Sequence, residues 1–548
     1  MLKLATVLDN PGEPLTETRY RDPKHLKALG YNGVVLYQTT GLSGVKNADA
    51  AGSGEMRRWV ENQFEQVTRA IDEAADAGLD VYITYDVLSL PSSVVDRDVT
   101  GLMCRNRPTT ICPGSDKAIK RSEQALQSLL QRWPKVAGVV LRFGDNDAAR
   151  LPYLVGNDIY TPHCPRCSGL GRMDRISLVL KHFYELVAEQ NNKRLIARAW
   201  NVKPKGMHDS VELCERLAKQ LPGDANDDRL VLSFKFTETD FWRYQQWNPA
   251  SLVFGERPII YELQCQREFE GKGGIANWQV PLWRDGPSEM DGTPSGLAEV
   301  AEKVNLAGLW AWVRGGGWGG PFVKNEKWID ANVVAVPKLA DDPKADPGDL
   351  AEHWINSSLG IKEKKTVKAI RTVLENSHQY ILKGFYIAPF AKAKADAWHP
   401  NGDWIQDDLL DARAAWRMIQ WIGESKLDEV LQEKQDAVMG VVEDLRVLDK
   451  STTSQNRASV ESLINSLVYA QSFFESLRDL LSGLAAYRRF QKSGDASDAE
   501  LCTKRMNLAQ SYWNHHTQRH GSLPGVATAF REQGFWELTQ EILAKVGA

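Results

Sequence analysis

Nowhere does this chain approach the roughly 18 consecutive apolar residues of a membrane span. Its start, MLKLATVLDNPGEP, also lacks the apolar core of roughly 7–15 residues that a secretory leader carries, so a cytoplasmic location and no membrane partner are expected. Positive charge is in no excess: 67 Lys and Arg stand against 71 Asp and Glu, interspersed, for a formal net charge of -4. That balance offers no electrostatic footprint for nucleic acid, and none is expected as a partner. Cysteine is scarce, seven residues in 548, and an odd, scattered count argues for reduced thiols over a disulfide framework. The glycine-rich run GGGWGG (315–320) has neither the Lys-Ser/Thr of a P-loop nor the spacing of a dinucleotide motif, so no cofactor is implied.

Tryptophan, by contrast, is plentiful: 18 residues outnumber 16 Phe and 15 Tyr. An indole face suits the C–H face of a pyranose, and Trp200, Trp242, Trp247, Trp278, Trp283, Trp310, Trp312 and Trp318 gather near the ends of strand candidates, although core packing is the ordinary use of most. Short apolar runs over 3–9, 32–37, 80–86, 136–143, 194–200, 230–236, 258–264 and 306–313 read as strands. Helix candidates fall between them at 56–77, 116–132, 174–190, 208–220 and 296–304, the first with apolar residues at Val60, Phe64, Val67 and Ile71. Alternating strands and helices predict a (β/α)8 TIM barrel over residues 1–340, with no clear helix in 237–257.

Past the polar stretch ADDPKADPGD (340–349) no convincing strand remains, and residues 341–548 read as a C-terminal all-α domain. Val460, Leu463, Leu467, Phe474, Leu477, Leu481 and Leu484 keep one helical stripe, which a bundle core and a homodimer contact would bury equally well. The loop AWHPNGDW (397–404) interrupts the helical pattern, as a plain interhelical turn or as a segment leaning over the barrel mouth.

Three acids lie at or just past the ends of successive strand candidates: Asp145 in VVLRFGDND, Asp240 in LSFKFTETD and Glu262 in IIYELQC. Functional groups of this fold collect at strand C-termini, and carboxylates converging there can divide acid and base roles, as glycoside hydrolysis requires. Arg142, Arg198, Lys235 and Gln264 accompany them, so the site could take an acidic sugar, an arginine gripping its carboxylate through paired hydrogen bonds; equally, the cations could position the catalytic acids. Trp200 and Trp318 are the stacking candidates. Asp240→Asn and Glu262→Gln are expected to suppress turnover with little effect on folding, both side chains being placed at a pocket rim.

The run FKFTETDFW followed by PIIYELQCQREFEG resembles the signature region of family 67 α-glucuronidases. Lys235 and Asp240 match its lysine and the aspartate five residues on, Glu262 and Gln264 match its Glu-Phe-Gln strand, Arg198 in ARAWN resembles its strand-five arginine, and Arg142 takes the place of a lysine that contacts the sugar carboxylate. GLWAWVRGGGWGG and the segment after it look like its eighth strand and passage to the helical domain. The resemblance implies an exo-acting, inverting α-glucuronidase that needs no cofactor, with Asp240 and Glu262 activating a water. It departs from the pattern in two places. This sequence starts at strand one, without the family's N-terminal sandwich domain, and Asn146, flanked by Asp145 and Asp147, occupies the general acid's position. Asp145 is the expected acid, with Asp147 the other choice. A hydrolase for a neutral sugar and a non-hydrolytic sugar-binding protein are the competing readings.

His163-Cys164-Pro165-Arg166-Cys167 forms a second constellation. A CxxC has zinc-compatible spacing, His163 offers a third ligand, and Cys104 and Cys112 could complete a site across loops, yet metal-free thiols remain the larger expectation. CPRCSGLG also resembles one repeat of a DnaJ-type zinc module.

Overall fold

Eight short runs rich in β-branched, leucine and aromatic residues form a closed, all-parallel barrel: β1 (Leu2–Leu8), β2 (Gly33–Leu36), β3 (Asp80–Asp86), β4 (Gly138–Arg142), β5 (Arg194–Arg198), β6 (Leu230–Lys235), β7 (Pro258–Gln264) and β8 (Asn305–Gly315). The structure is a computed structural model that describes all residues except 13, 53, 145, 201–205, 208–209, 239, 269, 291–294, 316–324, 394–411, 521–534 and 548. Strands pair in sequence order, and β8 closes on β1 from Leu2↔Gly308 to Leu8↔Gly315. The (β/α)8 expectation holds, with strand limits within a few residues of those read from hydropathy.

The connecting helices follow the same logic. Glu55–Asp76 buries Val60, Phe64, Val67 and Ile71, the stripe spaced for one face of an α-helix. Asp116–Arg132 begins at Ser115, whose hydroxyl accepts the Ala118 N–H at 3.2 Å. Between β6 and β7 the described residues hold only a 3-10 turn, Pro249–Val253, where the sequence showed no helical period. Two small ribbons decorate the loops after β3 and β4, Leu90–Pro91 with Leu154–Val155 and Met103–Cys104 with Arg107–Ile111.

The second compact unit is helical. It takes Ala345–Ala548 together with two stretches that follow barrel strands, Cys265–Pro281 and Gly317–Ala335, while Val336–Lys344 stays with the barrel. The division is therefore more interleaved than a single cut at 340. Hydrogen bonds inside this unit show why: the Trp278 N–H donates to Ser377 at 2.8 Å, the Gln279 N–H to Asn332 at 2.9 Å, and the Trp328 indole to Ser466 at 2.8 Å. Its longest helix, Arg457–Ser493, ends at Gly494, whose φ of 69° supplies the left-handed turn that a C-cap needs. Val460, Leu463, Leu467, Phe474, Leu477, Leu481 and Leu484 are all buried within the chain itself. Residues 397–404 lie outside the described residues, and no described helix is long and apolar enough to cross a membrane.

Candidate active site

Strand geometry brings the polar residues of the barrel together. Side chains two apart share a face, which pairs Ser233 with Lys235, Glu262 with Gln264 and Trp310 with Trp312. Register then sets Lys235 beside Glu262, Gln264 beside Trp312, and Asp86, Arg142 and Arg198 in one row across β3, β4 and β5.

Glu262 is fully buried, not at a rim, and this corrects the expectation that replacing it would spare folding. Its Oε1 accepts from the Arg198 Nε at 2.9 Å and from the Ser233 hydroxyl at 2.7 Å. Its Oε2 has no hydrogen-bond partner among the described residues. A carboxylate taken out of water survives because a buried guanidinium and a hydroxyl replace the lost solvation.

Lys235 forms a salt bridge with Asp240, whose side chain keeps 21% of its surface exposed. The ammonium lies 3.3 Å from the Trp200 ring centroid and 4.8 Å from those of Phe241 and Trp312. Arg198 sits near the same two indoles, its guanidinium carbon 5.6 Å from Trp200 and 5.4 Å from Trp312. Electron-rich ring faces thus solvate two cations that water does not reach. Phe241 has φ 58°, a left-handed conformation that costs a non-glycine residue about 1–3 kcal/mol. It is held there by a 3.0 Å hydrogen bond from its N–H to the Thr237 hydroxyl and by an edge contact with Trp312.

Arg142, a candidate for gripping a substrate carboxylate, is spent inside the protein. Its guanidinium contacts Asp86 at 3.1 Å and Asp147 at 2.8 Å and lies over the Tyr37 ring, 4.7 Å from the centroid. Asp147 also accepts from the Tyr37 hydroxyl at 2.7 Å. Asp147 is thus held between a guanidinium and a phenol. Asp145 and Trp318 lie outside the described residues. Gly144, just before Asp145, permits a close approach: a Cβ there would come 2.4 Å from the Tyr160 ring and 2.9 Å from the Trp200 carbonyl oxygen. Asn146 hydrogen-bonds Ser89 at 3.0 Å, and Gln264 is buried at the end of β7.

Sequence reasoning did not single out Ser233, Asp86, Tyr37 or Phe241. Two left a usable signal. Asp86 closes β3 as Asp145 follows β4, and Ser233 stands two positions before Lys235, hence on its face.

Cys104, Cys112, Cys164 and Cys167 converge, with every Sγ within 4.8 Å of the others. Burial pushes the Cys112 thiol up to about 11. At Cys164 burial acts in the same direction but is outweighed by hydrogen bonds from the Cys167 N–H and the Cys112 and Cys167 thiols, and the value falls to about 6. The His163 Nε2 lies 3.0 Å from Asp158 and 3.2 Å from Arg107, and of the ligands the sequence offered it is Cys104 and Cys112, not His163, that join Cys164 and Cys167.

No family model and no curated protein matches the chain. The resemblance to family 67 therefore rests on the residues quoted for it. Among solved structures, an enzyme described as a GH138 enzyme targeting pectin rhamnogalacturonan II aligns over 100% of this chain and 83% of its own, with a TM-score of 0.57 and 11% identity. The O-GlcNAc hydrolase of Thermobaculum terrenum, as a mutant, aligns over 100% and 94% with a TM-score of 0.44 and 9% identity. The first likeness shows a shared fold, a barrel followed by a helical region.

Proposed function

We propose that this chain is a glycoside hydrolase that removes an α-linked uronic acid from oligosaccharides by general acid/base catalysis. One observation carries the reading: at the C-terminal ends of β5, β6 and β7, Arg198 and Lys235 lie near the indoles of Trp200 and Trp312, each cation joined to a carboxylate, Glu262 and Asp240. The carboxylates suit water activation and the cations suit an acidic substituent; Trp200 and Trp312 are themselves buried against those cations, so Trp200 is a packing partner and not the stacking surface the sequence suggested. Asp240, partly exposed, and Glu262, which also pairs with Arg198, share the activation of water. Asp145 supplies the proton to the leaving oxygen. A fold neighbour described as targeting a pectin accords with this substrate class, as analogy only.

A neutral-sugar hydrolase is the second reading, favoured by the same salt bridges, since both cations already have internal partners. Release of monosaccharide from uronic-acid oligosaccharides and from their neutral counterparts, with NMR of the first anomer, separates the two. A uronide preference with an inverted anomer is expected, with Asp145→Asn losing turnover on natural substrates while activated aryl glycosides are spared. Equal rates on both sugars, or a retained anomer, would overturn the corresponding half of the proposal.

A further inference from the structure

Two loops at the catalytic end of the barrel bring four cysteines to one point that the proposed hydrolysis does not use. Cys104 and Cys112 flank the strand Arg107–Ile111 in the loop after β3, and Cys164 and Cys167 sit at a helical turn, Pro165–Ser168, in the loop after β4. All four are buried, at 0–4% exposure, and all are free thiols. The Sγ separations are 3.5 Å for Cys112 and Cys164, 3.6 Å for Cys164 and Cys167, and 3.9 Å for Cys104 and Cys167. Four sulfurs bound tetrahedrally at about 2.3 Å from one zinc ion lie about 3.8 Å apart, a spacing these three separations match, and every remaining pair lies within 4.8 Å. They are far too long for a disulfide, which needs about 2.05 Å. Apolar packing accounts for buried thiols, but it does not require four of them, from loops more than fifty residues apart, to meet at tetrahedral spacing.

The surroundings suit bound thiolates. The His163 N–H donates to the Cys167 sulfur at 3.2 Å, the kind of outer contact that orients a ligand. Arg166 reaches the carbonyls of Gly101 at 2.8 Å and Met103 at 2.6 Å, tying one loop to the other independently of the sulfurs. Arg175, itself buried, donates to the carbonyls of Ile159 at 2.7 Å and Tyr160 at 2.8 Å, bracing the same region.

We propose that Cys104, Cys112, Cys164 and Cys167 hold one structural zinc ion that staples the loop after β3 to the loop after β4. Soft thiolates in a tetrahedral four-sulfur set suit zinc, with iron the competitor that elemental analysis distinguishes, and a site with four protein ligands keeps no open position for a reacting water. The ion braces the loop after β4 and takes no part in bond breaking.

The test uses the full chain. Elemental analysis of protein purified without added metal should find about one zinc per chain, and exchange with cobalt should give the visible bands and thiolate charge transfer of a tetrahedral tetrathiolate ion. Cys167→Ser should lower bound zinc by about tenfold or more, while Cys502→Ser, in the helix Ala496–His520, should leave it unchanged. Should Cys167→Ser fail to fold, the cobalt spectrum of the unaltered chain still decides. Protein that carries no zinc, gives no thiolate charge transfer with cobalt, or holds iron in its place overturns the proposal.

Discussion

Glu262→Gln separates charge from shape. The amide matches the carboxylate in size, and its oxygen can still accept from Ser233, 2.7 Å away in the unaltered protein. What disappears is the negative charge facing Arg198, and both side chains are fully buried. Charge centres about 4 Å apart attract by about 4 kcal/mol at an effective dielectric near 20, which agrees with the roughly 3–5 kcal/mol lost when one partner of a buried pair is removed. Urea unfolding followed by tryptophan fluorescence should therefore show the barrel transition destabilised by about 3–5 kcal/mol. Turnover on uronic-acid oligosaccharides, measured on the folded fraction, should fall by roughly 10²–10⁴-fold if Glu262 serves water activation. The double variant Arg198→Met, Glu262→Leu removes both charges together and should recover most of the stability but none of the activity. A Glu262→Gln protein as stable and as active as the original would refute both arguments. Activity in the double variant would reduce Glu262 to a scaffold.

Asp147→Asn should destabilise the barrel, because it releases Arg142 at 2.8 Å and Tyr37 at 2.7 Å; turnover per folded molecule should stay well short of the roughly 10²–10⁴-fold loss that removing the general acid causes. In the helical unit, His516 is held down to about 3 and His520 to about 4, each first by burial and then by neighbouring positive groups. The unfolded chain binds their protons first, so their contribution is complete above the ordinary histidine value near 6.5 and is lost as pH falls through about 4 for His520 and about 3 for His516, at a slope of at most about 1.4 kcal/mol per pH unit each. Urea midpoints at several pH values should show that slope weakened in His516→Gln, and an unchanged slope would refute the assignment.

Much of the barrel was legible because a strand buried on both faces is a short apolar run, and β3 and β7 fall on the runs 80–86 and 258–264. The positions of Lys235, Asp240 and Glu262 were legible for a related reason: they sit at or just past strand ends, where a barrel presents its polar groups. What the sequence withheld was partnership. Nothing local says that Arg142 faces Asp86, 56 positions earlier, or that Ser233 reaches across to Glu262, 29 positions later. Those pairs follow from strand register, which only the closed sheet defines. The four cysteines were legible as a candidate set, the CxxC with Cys104 and Cys112, whereas their meeting, Cys112 with Cys164 across 52 residues, came only with the fold. The stretch Cys265–Pro281 was assigned to the barrel by position alone, yet its hydrogen bonds run to Asn332 and Ser377 in the helical unit.

Closure of β1 on β8 has a consequence for how the chain is made. Leu2–Leu8 is the earliest barrel strand to leave the ribosome, and one of its edges is satisfied only by Gly308–Gly315. At about 5–20 residues per second, synthesis takes roughly 15–60 s to travel from one to the other. For that interval a strand of largely buried residues, among them Leu4 and Ala5, offers an unpaired edge to any other nascent chain nearby. The barrel cannot be completed during translation until Gly315 has emerged, so the demand for chaperone protection falls on its opening strand.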